Sequence, residues 1–348
     1  MVQVSFACCA RAAVVLASML AALPATAESV ADFYKGKTLT FIVGADAGGS
    51  YDLNARTVAT YFVRHLPGHP AAVVQNMPGA GSMRMANTVY TVAPKDGTVI
   101  GAAQRLVPFG PLFGESAAKY DARKMHWLGS TAKEVAIFAV WHTSRQRTVD
   151  DLFARETIVG GTQPGTDTVL YANVLNNVLG TKLRIVSGYS SSIPILLAME
   201  RGEVEGIANW SWSDVGNTRP TWIPEKKIRI LMQLGLEKHA DLPDVPLVMD
   251  FARNAEQRQL LEVLMGMKDL GRPFFVAPEV PDDRVKALEA AFLATMADKD
   301  FLAESKRVKR DIDPVSGTEM HALLDRAYAL SPDMVAKARA AVNAAPAK

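Results

Sequence analysis

The sequence has few cysteines and no run of basic residues. Of its 348 residues only Cys8 and Cys9 are cysteine, and both lie within the first 27 positions. Beyond those positions the chain therefore has no disulfide, no thiol nucleophile and no cysteine-ligated metal. Lysine and arginine total 38 against 36 aspartate and glutamate, a net charge of +2. Without a basic run, this balance excludes the charge pattern of a nucleic-acid-binding protein.

Long apolar runs are also missing, apart from one near the N-terminus. Residues 12–23 are apolar, Arg11 is the only charged residue among the first 27, and 25–27 reads Ala-Thr-Ala. The run is shorter than the roughly 20 residues that span a bilayer, and small residues follow it, as in a secretory signal peptide. We therefore expect a signal peptide at 1–27, cleaved near Ala27, and an exported protein.

The rest of the chain alternates strand-like and helix-like patterns. Strands are predicted at 39–43, 72–75, 98–102, 135–140, 157–159, 183–186, 204–208 and 272–276, and helices at 52–65, 83–92, 167–179, 193–200, 256–267, 282–297, 318–330 and 332–341. Such alternation is typical of α/β proteins with mostly parallel sheets and helices on the faces. The length favours two domains over one.

Three glycine-rich turns follow predicted strands. They are residues 44–52, 76–82 and 160–168, named here the first, second and third turns. Each turn opens a helix, whose first N–H groups have no partner within the helix and carry partial positive charge. Glycine lets the backbone approach a ligand closely, so each turn can hold an anion without lysine or arginine. A single turn is equally typical of an ordinary loop, whereas three indicate a cleft between two lobes.

Several side chains near these turns have two interpretations. Asp52 caps its helix, and in doing so it also shapes a ligand pocket. Arg105 follows a strand and is either a surface arginine or a partner for a ligand carboxylate. Tyr189 and Trp210 either pack in the core or contact a ligand when the cleft closes.

Motifs for other functions are incomplete. A P-loop ending at Gly36-Lys37-Thr38 requires glycine where Ala31 stands, and a dinucleotide-binding fingerprint requires glycine at Arg84. No G-x-S-x-G elbow occurs. His65 and His69 have the spacing of metal ligands, but Pro67 and Gly68 break the helix between them. We therefore expect no catalysis, no cofactor and no metal.

Taken in order, these motifs resemble the solute receptors of the tripartite tricarboxylate transporters, the Bug family. The resemblance is carried by F-I-V-G-x-x-x-G-G-x-x-D, N-M-P-G-A-G-S, A-P-K-D-G-T, G-T-x-P-G-T-D, S-G-Y-S-S-S, L-A-M-E-R-G-E-V-E-G and R-P-F-F-V-A-P-E-V-P at residues 41–52, 76–82, 93–98, 161–167, 187–192, 197–206 and 272–281. Together they cover nearly all of the chain after residue 27, in the expected order.

The resemblance implies a two-lobed periplasmic binding protein of type II, or Venus flytrap. Lobe one would comprise 28–130 and 250–348, and lobe two 131–249. A small organic carboxylate would lie in the interlobe cleft, and the ligand-binding residues would be Gly48, Gly49, Ser50, Tyr51, Asp52, Pro78, Gly79, Ala80, Gly81, Ser82, Gln104, Arg105, Gly165, Thr166, Asp167, Thr168, Tyr189 and Trp210. Many family members have a Ser and His pair where this chain has Asp167 and its neighbours. That carboxylate either repels a second ligand carboxylate or only caps the helix.

The implied function is delivery of a carboxylate to integral-membrane transporter subunits by a monomeric receptor. Two alternatives stay open at this stage. The same module would serve as a sensor that presents its ligand to a membrane signalling protein, or the chain is an exported enzyme acting on organic acids.

Overall fold

The computed structural model describes residues 28–308, 310 and 312–343. The signal peptide predicted at 1–27 lies outside the described residues. Within them, no helix is long and apolar enough to cross a membrane.

Two β-sheets and the helices around them make up the described chain. The strands are β1 Thr38–Val43, β2 Ala71–Asn76, β3 Val99–Ala102, β4 His126–Ser130, β5 Ala136–Trp141, β6 Thr157–Gly160, β7 Leu183–Val186, β8 Gly206–Ser211, β9 Ile228–Leu234, β10 Pro273–Val276 and β11 Val315–Ser316. The helices are α1 Val30–Tyr34, α2 Ser50–His65, α3 Met83–Thr91, α4 Asp150–Ala154, α5 Asp167–Val174, α6 Ser192–Glu200, α7 Trp212–Thr218, α8 Ala255–Gly266, α9 Asp282–Met296, α10 Lys299–Arg307, α11 Gly317–Tyr328 and α12 Pro332–Val342. A π-helical stretch, Leu175–Leu179, continues α5.

Both sheets mix parallel and antiparallel pairs. The first sheet has the order β11-β4-β10-β3-β1-β2, and the second has the order β7-β6-β8-β5-β9. In the first, β1 pairs in parallel with β2 and β3, whereas β10 runs antiparallel to β3 and β4. In the second, β6 pairs in parallel with β7 and β8, whereas β5 runs antiparallel to β8 and β9. The predicted α/β fold is confirmed, with sheets that are more mixed than the sequence predicts.

Strand periodicity divides the side chains between two faces of the first sheet. Phe41, Leu128 and Phe274 face a cluster with α2 and α9, while their neighbours Ile42, Trp127 and Phe275 belong to another cluster. Successive strand residues point to opposite faces, so both faces of this sheet are covered by apolar packing.

The second of these clusters, named here the shared cluster, extends to the second sheet. It contains Met83 of α3 and Leu324 of α11 on one side, and Phe138 of β5 and Leu170 of α5 on the other. Helix α12, at the C-terminal end, packs against α5 and α8. The two sheets are thus joined by continuous apolar packing, and the division into lobes at 131 and 250 stays a prediction.

The carboxyl ends of β1, β2 and β3 meet at one point. The N–H of Gly44 donates to the carbonyl of Ala102 at 3.0 Å, and the N–H of Met77 donates to the carbonyl of Val43 at 2.7 Å. Ligands of open α/β sheets bind beyond such strand ends. The first and second turns begin here.

Gly44 has no room for a side chain. A Cβ added there would lie 2.9 Å from the Cα of Ser82, in the second turn. We expect Gly44→Ala to lower the free energy of unfolding by about 1–3 kcal/mol, because the backbone of one turn must move. Denaturant unfolding measures this change.

Gly266→Ala is the matched control for this substitution. A Cβ there meets nothing within 4 Å, and Gly266 ends helix α8. Alanine should leave the protein as stable or stabilise it by up to about 1 kcal/mol. Equal effects of the two substitutions would contradict the close approach of the turns.

Candidate functional site

Asp52 braces the first turn from within. Its carboxylate accepts hydrogen bonds from the Gly48 N–H, from Arg56 Nε and from Asn76 Nδ2, at 2.8, 2.9 and 2.8 Å. Burial would raise the pKa of Asp52, but these hydrogen bonds outweigh it and hold the pKa below its usual value. Asp52 therefore reaches back from the start of α2 to fix the loop before the helix. It does not cap the helix N–H groups, so the capping interpretation is wrong.

Helices α2, α3 and α5, which follow the three turns, lack side-chain caps at their N-termini. The N-cap residues are Gly49 for α2, Ser82 for α3 and Thr166 for α5, and no side-chain cap hydrogen bond forms at any of them. The starts of α2 and α5 thus present N–H donors without a side-chain cap, whereas at α3 the N–H groups of Met83 and Arg84 bond to the carbonyls of Ala80 and Gly79. All three starts carry partial positive charge.

The second turn has an unusual backbone. Gly79, Ala80, Gly81 and Ser82 all have positive φ, at 134°, 47°, 58° and 74°. Such conformations are costly for alanine and serine, so the surrounding structure must hold them. Ser82 is fully buried; its Oγ donates to the Gly44 carbonyl at 2.7 Å and accepts from the Gln104 N–H at 3.1 Å. Ser82 thereby links the second turn to the first turn and to the segment after β3.

Hydroxyl groups organise the third turn. Thr162 Oγ1 lies 2.5 Å from Thr166 Oγ1 and 2.8 Å from Thr168 Oγ1, and the Thr162 N–H donates to Thr168 Oγ1 at 2.9 Å. The hydroxyls of Thr166 and Thr168, both predicted as ligand-binding, are engaged within the turn. Gly165 has φ of 79° and presents its carbonyl toward Gly81.

The third turn touches the other two turns directly. A Cβ on Gly81 would lie 3.3 Å from the Gly165 carbonyl oxygen, and Tyr51 Oη lies 3.5 Å from Asp167 Oδ2. Ser50 Oγ donates to Asp214 Oδ1 of α7 at 3.1 Å. Three separate contacts therefore bring elements of the second sheet against the site elements of the first.

A cluster of buried and partly buried charges lies between the sheets, named here the inter-sheet ion cluster. It comprises Arg105, Glu134, Asp167, Asp214 and Arg272. Arg105 pairs with Glu134, and its Nε lies 2.9 Å from Asp167 Oδ2. Arg272 contacts the other Glu134 oxygen through Nε and Nη2, each at 2.8 Å, and its Nη2 lies 3.7 Å from Asp214. Arg105 is 4% exposed, which excludes the surface interpretation.

The ion cluster controls the protonation of its members. Burial would raise the pKa of Glu134, but the guanidinium groups of Arg105 and Arg272 outweigh it and lower the pKa to about 2. Burial raises the pKa of Asp214, against the opposing effects of Arg272 and Ser50. Glu134 is thus the fixed negative centre of the cluster.

Lys268 adds a second kind of buried cation next to this cluster. Its Nζ donates to Asn209 Oδ1 at 2.5 Å and lies 3.9 Å from the centre of the Tyr171 ring. Burial and repulsion from Arg105 lower its pKa well below the usual value. The ring and the amide replace the water that an ammonium group loses on burial.

Trp210 and Tyr189 differ in their position relative to the turns. Trp210, on β8, packs edge-on against Trp222 in a third apolar cluster, as the core-packing interpretation expects. Tyr189 packs at the edge of the same cluster, and its N–H donates to the Gly161 carbonyl of the third turn at 3.3 Å. The remaining predicted residues come together around the strand ends: Gly48, Gly49, Ser50, Tyr51, Asp52, Pro78, Gly79, Ala80, Gly81, Ser82, Gln104, Arg105, Gly165, Thr166, Asp167 and Thr168.

Four charged residues of the site were absent from the sequence prediction. They are Glu134, Asp214, Lys268 and Arg272, which come from segments far apart in the chain. The one sequence signal was that each charge stands beside apolar residues, as in L-M-G-M-K-D-L-G-R-P-F-F around Lys268 and Arg272. Within the described residues, no group of three or more His, Cys, Asp or Glu side chains could hold a metal ion.

A cavity of about 400 Å³ lies beside the second and third turns, named here the turn cavity. Its lining residues are Ala80, Met83, Leu106, Glu115, Ala117, Pro164, Gly165, Val169, Leu170, Asn173, Ile185, Ser187, Val342 and Asn343. The volume is within the range of small-molecule sites.

The ion cluster gives a prediction for stability and its pH dependence. Glu134→Gln leaves two buried guanidinium groups without a charged partner, so we expect a loss of about 3–5 kcal/mol in the free energy of unfolding at pH 7. Because the pKa of Glu134 is lower in the folded state, its contribution is present above the unfolded value near 4.5 and is lost as pH falls toward about 2. Denaturant unfolding at several pH values measures both effects.

The exposed Glu225 supplies the control, since its side chain lies at the surface. Glu225→Gln should change stability by no more than about 0.5 kcal/mol. A difference between wild type and Glu134→Gln that does not shrink below pH 4.5 would show that Glu134 is not the titrating anion.

Comparison with known proteins gives one curated relative and several similar structures. No protein-family model matches the chain. A UPF0065 protein in the gbd 5' region of Cupriavidus necator is 27% identical over 298 residues, which cover 82% of this chain and 82% of that protein.

Among solved structures, a TctC solute-binding protein from Polaromonas has a TM-score of 0.63 and 20% identity, covering 85% of this chain and 96% of that chain. The periplasmic binding protein BugD has a TM-score of 0.66 and 16% identity, covering 87% and 96%. The R. palustris protein Rpa4515 with adipate has a TM-score of 0.66 and 17% identity, covering 87% and 97%. The resemblance predicted from the glycine turns is confirmed: this chain is similar to the TctC and Bug solute-binding proteins and has their α/β fold.

Proposed function

We propose that the protein is a periplasmic receptor that binds a small organic carboxylate between its two sheets. The observation that carries the proposal is the meeting of three helix N-termini without side-chain caps at one place, with the turns of α2 and α3 linked through Ser82. A carboxylate is one of the anions that helix N-termini bind.

In this proposal the first and second turns hold the ligand carboxylate. Donors are the backbone N–H groups near Gly49, Ser50 and Gly81, and Asp52 and Ser82 keep them in place rather than touch the ligand. Each charge-assisted hydrogen bond contributes roughly 1.5–3 kcal/mol. Two or three such bonds, less the costs of desolvation and ordering, give an affinity near the micromolar range.

The second sheet then acts as the closing lobe. Its third turn and α7 contact the first sheet through Asp167 and Asp214, and these contacts break when the lobes separate. Closure is a hinge motion about the segments that cross between the sheets. It exchanges an open and a closed population, and the ligand shifts the equilibrium toward the closed form. No catalytic step is part of this proposal.

Delivery to a membrane transporter completes the proposed role. Rpa4515 was solved with adipate, a small carboxylate, and the TctC and BugD structures are named as solute-binding or periplasmic binding proteins. The shared fold supports the same kind of role here, with the closed form recognised by integral-membrane subunits and with residues 1–27 directing export.

A ligand screen tests the receptor function. The purified, ligand-free protein should show a higher melting temperature with at least one class among mono-, di- and tricarboxylates, because a ligand that binds only the folded state stabilises it. The corresponding amides should give no shift. If no acid raises the melting temperature, the carboxylate assignment is wrong.

A pair of glycine variants tests the site itself. Gly81→Val combines strain at φ 58° with a clash against the Gly165 carbonyl, so we expect the ligand affinity to fall at least about tenfold. Isothermal titration of the best acid measures the affinity.

Gly202→Val provides the same kind of backbone strain away from the turns. Gly202 has φ of 73° with nothing within 4 Å of an added Cβ. This variant should lose stability but keep the affinity of the wild type. A matching loss of affinity in both variants would mean that general destabilisation, not the second turn, explains the effect.

A further inference from the structure

The turn cavity gives information on the body of the ligand. Ala80 of the second turn and Gly165 of the third turn both line it, so it lies next to the proposed carboxylate site. Most of its other walls are apolar, including Met83, Leu106 and Leu170. A ligand that extends from the turns into this cavity therefore buries apolar atoms against apolar walls.

The ionisable lining of the cavity is acidic. Glu115 is its ionisable side chain, and no lysine or arginine occurs among the described residues that line it. A second carboxylate on the ligand would lose its hydration there and would face Glu115 without a cation to pair with. Such a buried, unpaired charge is strongly unfavourable.

The contacts of Asp167, in the third turn, give independent support for selection against a second ligand carboxylate. Its side chain is 18% exposed, and its carboxylate lies 2.9 Å from Arg105 Nε and 3.5 Å from Tyr51 Oη. The protein thus places a carboxylate of its own on Arg105, the buried cation that is adjacent in sequence to the cavity residue Leu106. A second ligand carboxylate would have to displace Asp167 to reach this guanidinium.

Carboxylates outnumber guanidinium groups in the inter-sheet ion cluster. Arg105 and Arg272 face three carboxylates of the chain, namely Glu134, Asp167 and Asp214. The Nη1 atoms of both arginines are buried without a hydrogen-bond partner among the described residues. A second anionic group that approached them would nevertheless meet three negative charges already in place.

We propose that the ligand is a monocarboxylate with an uncharged, mainly apolar body, which lies in the turn cavity while its carboxylate is held by the turns. This inference rests on the proposed function and narrows its substrate class. Glu115 and Asp167 are the residues that select against a second negative charge.

Three six-carbon acids test the charge of the far end. Hexanoate, adipamate (the monoamide of adipate) and adipate have one carboxylate, one carboxylate with a neutral amide, and two carboxylates. Isothermal titration of the ligand-free wild-type protein should give the order hexanoate, adipamate, adipate from tightest to weakest, with at least a tenfold gap between the first and the last. Acetate should bind at least tenfold more weakly than hexanoate, because it leaves the cavity empty.

An asparagine substitution assigns the selection to Asp167. Asp167→Asn frees Arg105 for a ligand carboxylate, so adipate should gain at least tenfold in affinity relative to hexanoate. Asp150→Asn changes the net charge equally, at an exposed position of the second sheet's α4. This control should leave the ratio of the two affinities unchanged.

A pair of serine variants locates the body of the ligand. Ser187 is exposed and lines the cavity, whereas Ser190 is exposed and does not. Ser187→Trp should lower the affinity for hexanoate at least tenfold and leave the affinity for acetate unchanged. Ser190→Trp should change neither affinity.

The outcomes separate this inference from the receptor function. If no acid binds here or in the melting-temperature screen, the proposed function itself fails. If none of these four acids binds although another acid of the screen does, the receptor function stands and the monocarboxylate inference is overturned. If acids bind but adipate is as tight as hexanoate in the wild type, or if Asp167→Asn leaves their ratio unchanged, the receptor function stands and the monocarboxylate inference is overturned.

Discussion

The pairing of one buried glutamate with two arginines is the interaction on which the rest of the site depends. Glu134 lies where the chain crosses from β4 to β5, and Arg272 lies where it returns before β10. The Glu134 N–H also donates to the Lys268 carbonyl at 3.0 Å, so both crossing segments are tied at one point. Arg105 brings in the segment after β3. Breaking such a pair costs far more than the pair itself contributes, so the arrangement favours a single geometry of the crossing.

The turns are positioned by polar groups that face inward rather than toward a ligand. Asp52, Ser82 and Thr162 form hydrogen bonds with neighbouring backbone and hydroxyl groups. As a result the backbone N–H groups are left as the donors, in fixed positions. In the proposed receptor such a site would recognise negative charge, while the choice among acids would fall to the side chains of the turn cavity and to Asp167.

The sequence predicted the local structure well and the long-range contacts poorly. β1 is mostly apolar and buried, α2 and α9 each have an apolar face that is buried, and the bounds of all three differ from prediction by two residues or fewer. β4 was missed because His126-Trp127-Leu128-Gly129-Ser130 is short, contains glycine and has no alternation, and it is held by two antiparallel neighbours. The glycine turns were recognised from composition, but Glu134 and Arg272 are 138 residues apart and no local pattern pairs them.

The shared cluster between the sheets has a consequence for the thermodynamics of closure. Phe138 and Leu170 from one side and Met83 and Leu324 from the other belong to the same apolar packing. Separating the sheets exposes part of this surface to water, and hydration of apolar surface raises the heat capacity. In the proposed two-lobe receptor, opening would therefore have an enthalpy that changes with temperature, and cooling would weaken the apolar attraction that keeps the sheets together. The equilibrium constant between open and closed forms, and with it the ligand affinity, would then have a curved dependence on temperature even when every polar contact is unchanged.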